Sequence, residues 1–241
     1  MNWQAPGQSL QQFANSCLDF VFPPLCISCN NYLDDGQKRV CNTCWNSIQS
    51  VTRQHPLFVD TREKLLAGGF VSDLVSRYVF EKEGAFQHIA HGLKYQGFQS
   101  LGVELGRRIG EQMRDWGVAG DILIPIPLHK IKFRERGYNQ AEMIARGISE
   151  VTGIQLRVDI VGRRKHTQTQ TQLNLDERTE NMEEAFEIDH GELVENRVCL
   201  IVDDVITTGA TISSCSAELL KAGATRVVAA SAALAQKGAA V

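Results

Sequence analysis

The stretch Leu200-Ile201-Val202-Asp203-Asp204-Val205-Ile206-Thr207-Thr208-Gly209-Ala210-Thr211-Ile212 decides the fold. It continues an unbroken apolar run that starts at Val198, the pattern of a strand buried on both faces inside a parallel sheet. Two carboxylates end the run, and a glycine-containing, hydroxyl-rich turn follows. From about Ala210 to Ala222, Ile212, Cys215 and Leu219 recur at helical spacing, with Gly223 as the cap. Val227 to Ser231 reads as a returning strand. Strand, turn, helix and strand form a βαβ unit, so the sheet is expected to be at least partly parallel.

The turn has its own chemistry. Parallel sheets bind ligands outside the carboxyl ends of their strands, which is where Asp203 and Asp204 fall. Gly209 permits a backbone conformation that a Cβ resists and lets the chain come close to a ligand. Amide N–H groups at a helix start, with the hydroxyls of Thr207, Thr208 and Thr211, suit a phosphate. The two aspartates can accept hydrogen bonds from ribose hydroxyls or touch a magnesium ion. The plainer account makes a threonine the helix cap and the acids a solvated strand end. Adjacent acids running straight into such a turn are poorly explained by capping alone.

Working outward, Leu74 to Phe80 reads as a strand. Phe86, Ile89, Ala90 and Leu93 form a helical stripe ended by Gln96-Gly97, and a helix is expected from about Ser100 to Trp116. Asp121 to Pro127 is a short apolar strand entering a basic loop with Lys130, Lys132, Arg134 and Arg136. Gln140 to Thr152 reads as a helix, Leu156 to Val161 as a strand, and Arg163 to Gln172 as a polar loop. Residues 51 to 69 show no sustained period and read as connection, with the domain boundary inside them. Ahead of it, Leu10, Phe13, Ala14, Cys17, Leu18 and Val21 make a first helix stopped by Pro23-Pro24. Without Lys or Arg, that helix is expected to pack on the protein body rather than a membrane.

Two C-x-x-C pairs, Cys26/Cys29 and Cys41/Cys44, stand either side of turn-forming residues. Each pair can aim two sulfurs at one point, and four thiolates close a tetrahedral shell around a structural zinc. A redox pair and an iron–sulfur centre are the rival readings. Seven cysteines, an odd number, suit reduced thiols in a cytoplasmic protein better than a disulfide framework. No secretory signal or transmembrane span is expected. A formal charge of -3 argues against bulk attraction to nucleic acid or membranes. The expected division is 1–58, helix and zinc module, and 59–241, an α/β domain.

The segment from Asp203 to Thr211 resembles the phosphoribosyl-diphosphate signature of type I phosphoribosyltransferases. That resemblance implies a mainly parallel sheet flanked by helices. It implies that Asp203 and Asp204 hold the ribose hydroxyls, with Val205 and Ile206 leading into the turn from Thr207 through Gly209 and Ala210 to Thr211 that holds the 5′-phosphate. Further pieces are His91-x-Leu93-Lys94-Tyr95-x-Gly97, Ile124-Pro125-Ile126-Pro127-Leu128, Arg136-Gly137-Tyr138-Asn139-Gln140-Ala141, Gln170-Thr171 and Arg178-Thr179-x-Asn181. Together with the cysteine module, in this order and spacing, they resemble the ComF/GntX family over nearly the whole chain. The resemblance implies 5-phosphoribosyl 1-diphosphate and magnesium as ligands, with Lys94 reaching the diphosphate; of the four cations after Pro127, which otherwise read as a solvated basic loop, Arg136 is the best placed for the leaving group because a helix starts just after it. It also links the chain to DNA uptake in competent bacteria.

Two functions stay open at this point. One is transfer of the phosphoribosyl group with release of pyrophosphate to an unidentified acceptor, expected under the region from Leu74 to Lys94 and the hood from Arg163 to Gln172. The other is a non-catalytic module for single-stranded DNA, using Lys130, Lys132, Phe133, Arg134, Arg136 and Tyr138 with Arg163, Arg164 and Lys165. Purine-salvage relatives carry an acid at the position of Thr207; its absence argues against a purine acceptor. A homodimer is compatible with the sequence.

Overall fold

The computed structural model describes residues 23–163 and 186–236. The first helix and the hood from Arg164 to Gln172 lie outside the described residues, as do the Gln170-Thr171 and Arg178-to-Asn181 pieces. Contacts divide the chain into two units, Met1–Ile48 and Gln49–Val241. The division thus falls ahead of the 58/59 boundary read from sequence.

In the first unit, Leu25 and Tyr32 pair as an antiparallel bridge across the turn at Asn30. A short helix, α1 (Asn42–Ser47), starts at the second cysteine pair, with Cys41 as its N-cap accepting the Cys44 N–H. Cys26, Val40, Trp45 and Ile48 are buried. So small a core does not hold a fold by itself.

The second unit runs α2 (Pro56–Ala67), β1 (Asp73–Val79), α3 (Ala85–Tyr95), α4 (Gln99–Asp115), β2 (Ile122–Pro125), α5 (Lys130–Arg136), α6 (Gln140–Thr152), β3 (Gln155–Leu156), β4 (Val161–Arg163), β5 (Phe186–Ile188), a 3-10 turn (Gly191–Leu193), β6 (Val198–Ile206), α7 (Ala210–Lys221) and β7 (Arg226–Leu234). The main sheet has five strands in the order β1-β7-β6-β2-β3, every pair parallel. β4 and β5 form a separate antiparallel pair. β7 lies inside the sheet between β1 and β6, and both faces of Val-Val-Ala-Ala-Ser-Ala-Ala-Leu are buried.

Side-chain alternation assigns the layers. Cys199 and Ile201 of β6 face Ile212, Cys215 and Leu219 of α7 and Phe58 and Leu65 of α2, in one apolar core. Leu200 and Val202 point the other way, toward the layer of α4 and α6. There the helices meet backbone to backbone. A Cβ on Gly106 would lie 1.9 Å from the Ile144 carbonyl oxygen, and one on Gly147 would lie 2.0 Å from that of Val103. Among the described residues, no helix is long and apolar enough to cross a membrane.

Three expectations need correction. Residues 51 to 69 are not mere connection: Pro56 to Ala67 form α2, with Pro56 in the first turn, where its missing N–H is no loss. Phe58, Thr61 and Leu65 are its buried face. The segment before it joins the sheet unit through Val51, whose N–H donates to the Arg77 carbonyl at 2.9 Å. The basic stretch after β2 is not a loop but α5, closed by Gly137 at φ 76. Leu156 to Val161 is not one strand: the chain leaves the main sheet after Leu156 and starts the β4–β5 pair at Val161.

Candidate functional site

The strand order places a crevice between β2 and β6. After β2 the chain goes outward to β3, and after β6 it goes the opposite way to β7. Their carboxyl ends are a topological switch point. A cavity of about 340 Å³ opens there. Asp203, Asp204 and Thr211 form one side of it, Ile126 to Leu128 the other, and Lys94 and Tyr95 lie at the end of α3.

Asp203 and Asp204 point to opposite faces of the sheet, as successive strand residues must. Asp204 shares the face of α3, and its Oδ2 lies 3.2 Å from Lys94 Nζ. Lys94 is 9% exposed, so its ammonium is committed to this place and does not snorkel to solvent. Asp203 Oδ1 accepts the Asp204 N–H, and Asp204 Oδ1 accepts the Val205 N–H, each at 2.8 Å. Burial, and then the charge of Asp204, push the Asp203 carboxyl well above the usual carboxylate range, against the pull of Lys94.

The turn after the acids is built by close packing. Gly209 sits at φ 79, and a Cβ there would come 2.6 Å from Leu65 Cδ2 of α2. Thr207 and Thr208 are exposed, and the Thr208 hydroxyl accepts the Ala210 N–H at 3.4 Å. Val205 and Ile206 are buried and anchor the turn without facing the cavity.

Helix formation sorts the four cations after β2. Lys132 and Arg136 stand one turn apart and line the cavity, whereas Lys130 and Arg134 do not. Arg136 donates to Gln140 Oε1 at 2.9 Å and holds its guanidinium 5.6 Å from the Tyr95 ring centroid. The neighbouring residues of this motif are scaffold. Tyr138 is buried with its hydroxyl on the Leu93 carbonyl, and Asn139 caps α6 while donating to the Ile126 carbonyl at 2.9 Å. They tie α3, β2 and α6 around the cavity. Arg163, read from sequence as the first residue of a hood, turns back to the cavity instead, donating to the Pro127 carbonyl at 2.7 Å. Helical spacing plus Gly137 could have revealed the Lys132–Arg136 face, a face read from sequence as loop; nothing local signalled the reach of Arg163.

In the first unit, the sulfurs of Cys26, Cys29, Cys41 and Cys44 lie within 4.8 Å of one another, and all four thiols are free. Cys29 and Cys41 are 3.7 Å apart, close to the roughly 3.8 Å edge of a tetrahedron with Zn–S bonds near 2.3 Å. Burial would raise the Cys26 thiol, but the N–H groups of Cys41, Cys29 and Ser28 turned toward it bring it down to about 6. The donor set and spacing fit a closed structural zinc site. It is the sole such cluster among the described residues.

Residues 135–240 match the family described as Phosphoribosyl transferase domain, and residues 17–56 match the Double zinc ribbon domain. Competence protein F of Haemophilus influenzae is 38% identical over 223 residues, which cover 82% of this chain and 91% of that protein. The DNA utilization protein YhgH of Escherichia coli K12 is 33% identical over 107 residues, 44% of this chain and 46% of its own length. Among solved structures, the glutamine phosphoribosylpyrophosphate amidotransferase from B. subtilis aligns over 54% of this chain and 26% of its own at 23% identity, with a TM-score of 0.38.

Proposed function

Because this chain belongs to the competence protein F family, we propose that its β2–β6 crevice binds 5-phosphoribosyl 1-diphosphate with magnesium and transfers the phosphoribosyl group, releasing pyrophosphate. The carrying observation is the juxtaposition of Asp203 and Asp204 with Lys132, Arg136 and Arg163 across one cavity, directly ahead of the Gly209 turn. Ribose hydroxyls donate to the aspartates. The 5′-phosphate takes the amide groups and hydroxyls from Thr207 to Thr211. The diphosphate meets the cations opposite, where positioning and charge do most of the work of displacement.

The acid pair is a fitting hard-oxygen donor set for magnesium, because each carboxylate keeps one oxygen clear of the backbone bonds that orient it. When bound, the ion supplies charge neutralisation to the diphosphate. Lys94, already on Asp204, keeps the acid oriented and adds positive charge on the leaving-group side. Thr207 supplies no base, so an acceptor must give up its proton elsewhere.

Calorimetry with magnesium tests the reading. Binding of phosphoribosyl diphosphate is expected, weakened about tenfold or more by D203A/D204A through the unpaired ligand hydroxyls. Equal binding by that variant overturns it. Turnover is read as acceptor-dependent pyrophosphate release that D204A abolishes.

One observation favours a second reading, contact with single-stranded nucleic acid at the cavity rim. Tyr95 is 66% exposed, Ile131 60% and Phe133 48%, beside the cations of α5. Exposed aromatic rings among cations are what base stacking along a backbone needs. The two readings use adjoining surfaces and are compatible.

A further inference from the structure

Lys94 enters the crevice from the last turn of α3, next to Leu93 on the buried side of that helix. The helix end is pinned, because the Tyr138 hydroxyl donates to the Leu93 carbonyl. The base of the lysine is thus held, and its flexible stem is what can redirect the ammonium.

The carboxylate it meets is already half committed. Asp204 Oδ1 accepts the Val205 N–H at 2.8 Å, which leaves Oδ2 as the oxygen clear of the backbone. That is the atom Lys94 holds, with Nζ 3.2 Å away. A metal ion coordinated by Oδ2 would press directly against the ammonium. Water does little to screen the two, since the side chains of Lys94 and Asp204 are only 10% and 21% exposed. One oxygen therefore serves either cation but not both.

The rest of the crevice does not draw in a free divalent cation. Four cations line it, Lys94, Lys132, Arg136 and Arg163, against the three acids Asp203, Asp204 and Glu135. A diphosphate reverses the balance, because its oxygens offer an ammonium a stronger partner than a single carboxylate oxygen does.

We propose that Lys94 is an internal cation gate: its ammonium reserves Asp204 Oδ2 against metal alone and yields it when the phosphates of a ligand take the ammonium. The inference rests on the ribose-diphosphate reading of the crevice and gives Lys94 a part beyond orienting the acid. No covalent bond changes in the exchange. Lys94 does not leave ahead of the ligand, because two sheltered charges would then stand unpaired. Metal and diphosphate must also strengthen each other's binding by one common factor, since linkage is reciprocal.

Manganese(II) is the probe, a divalent ion that favours carboxylate and phosphate oxygens over thiolates. Equilibrium dialysis of the full-length, zinc-loaded protein counts the ion bound, with and without inorganic pyrophosphate. Lys94→Met, similar in length and uncharged, should bind manganese alone about tenfold tighter than wild type, and the enhancement by pyrophosphate should shrink about tenfold. Adding D203A/D204A to Lys94→Met should abolish the gain, which puts the ion on the acids. Lys132→Met is the control for general positive charge, since Lys132 is an exposed residue of the same crevice; it should shift manganese affinity by about twofold or less. Equal manganese affinity in wild type and Lys94→Met overturns the gate, as does an undiminished response to pyrophosphate. A gain in Lys132→Met as large as in Lys94→Met also overturns it, because overall charge then explains the effect. A thermal melt shows whether Lys94→Met folds; if it does not, Lys94→Gln, which keeps an N–H for Asp204, takes its place in the same measurements. Failure of phosphoribosyl diphosphate to bind would remove the substrate reading alone, because the gate is read with manganese and inorganic pyrophosphate.

Discussion

Asp203 lies beside Asp204 within β6, three residues before its end, and burial together with its neighbour's charge holds its carboxyl well above the ordinary range. A carboxyl whose proton is bound more tightly in the folded state than in the unfolded one favours folding at low pH and loses that contribution as pH rises through the raised value. Ionising that carboxyl is therefore a burden on the fold. Asp203→Asn is expected to raise the Tm near pH 7, at about 2–4 °C per kcal/mol for a chain of this size, while weakening phosphoribosyl diphosphate. Thermal melts across pH check the sign: the gap between wild type and Asp203→Asn should narrow on acidification, as the wild-type carboxyl takes up its proton. A gap that widens contradicts this account. Gly209→Ala should behave differently, losing both binding and stability, since its backbone is left-handed at φ 79 and Leu65 occupies the space a methyl needs. Calorimetry and a melt on one preparation separate the two cases.

The elements that sequence made legible are those with strong internal patterning. β6 is an apolar run closed by acids, α6 coincides with the helix read at Gln140 to Thr152, and α3 ends at the expected Gln96-Gly97 break. α2 escaped because its apolar face is thin: it buries Phe58, Thr61 and Leu65, and the core it covers includes strand residues well over a hundred positions later, such as Ile201. α5 escaped for the opposite reason, since no residue of it is buried and it has no apolar stripe. The cavity followed the same division. The acids and the turn were readable because they are contiguous, whereas Arg163 reaches Pro127 across 36 positions and only the folded chain shows that. Among helix pairs, α4 and α6 leave least room. Gly106→Ala, with its methyl aimed at the Ile144 carbonyl, should cost about 3 kcal/mol or more, because backbone cannot yield as a side chain can. Denaturant unfolding measures it; a loss below about 1 kcal/mol would mean the helices separate easily.

At the scale of the whole molecule, the zinc module and the sheet unit make separate predictions. Protein purified without chelator should carry a single zinc per chain, lost in Cys29→Ser, and a strong chelator should leave all four thiols of the cluster titratable. Elemental analysis and thiol titration decide it, and metal-free protein with a folded module would contradict the assignment. For the rim of α5, single-stranded oligonucleotide affinity should fall with rising salt, and Arg134→Ala/Arg136→Ala should lower the salt slope by about one per lost phosphate contact. A flat salt response would leave that surface to other partners. One feature of the sheet reaches beyond equilibrium. β7 lies between β1 and β6, pairing Ser76 with Ser231 across 155 positions and joining their hydroxyls at 3.0 Å. During synthesis, β1 must therefore wait with an open edge until the segment Arg226–Leu234 has left the ribosome. A polypeptide interrupted before Arg226 lacks the strand that joins its two halves, and the apolar flanks of β1 and β6 stay open to other chains. The emergence of β7, rather than the encounter of early segments, then gates closure of the sheet.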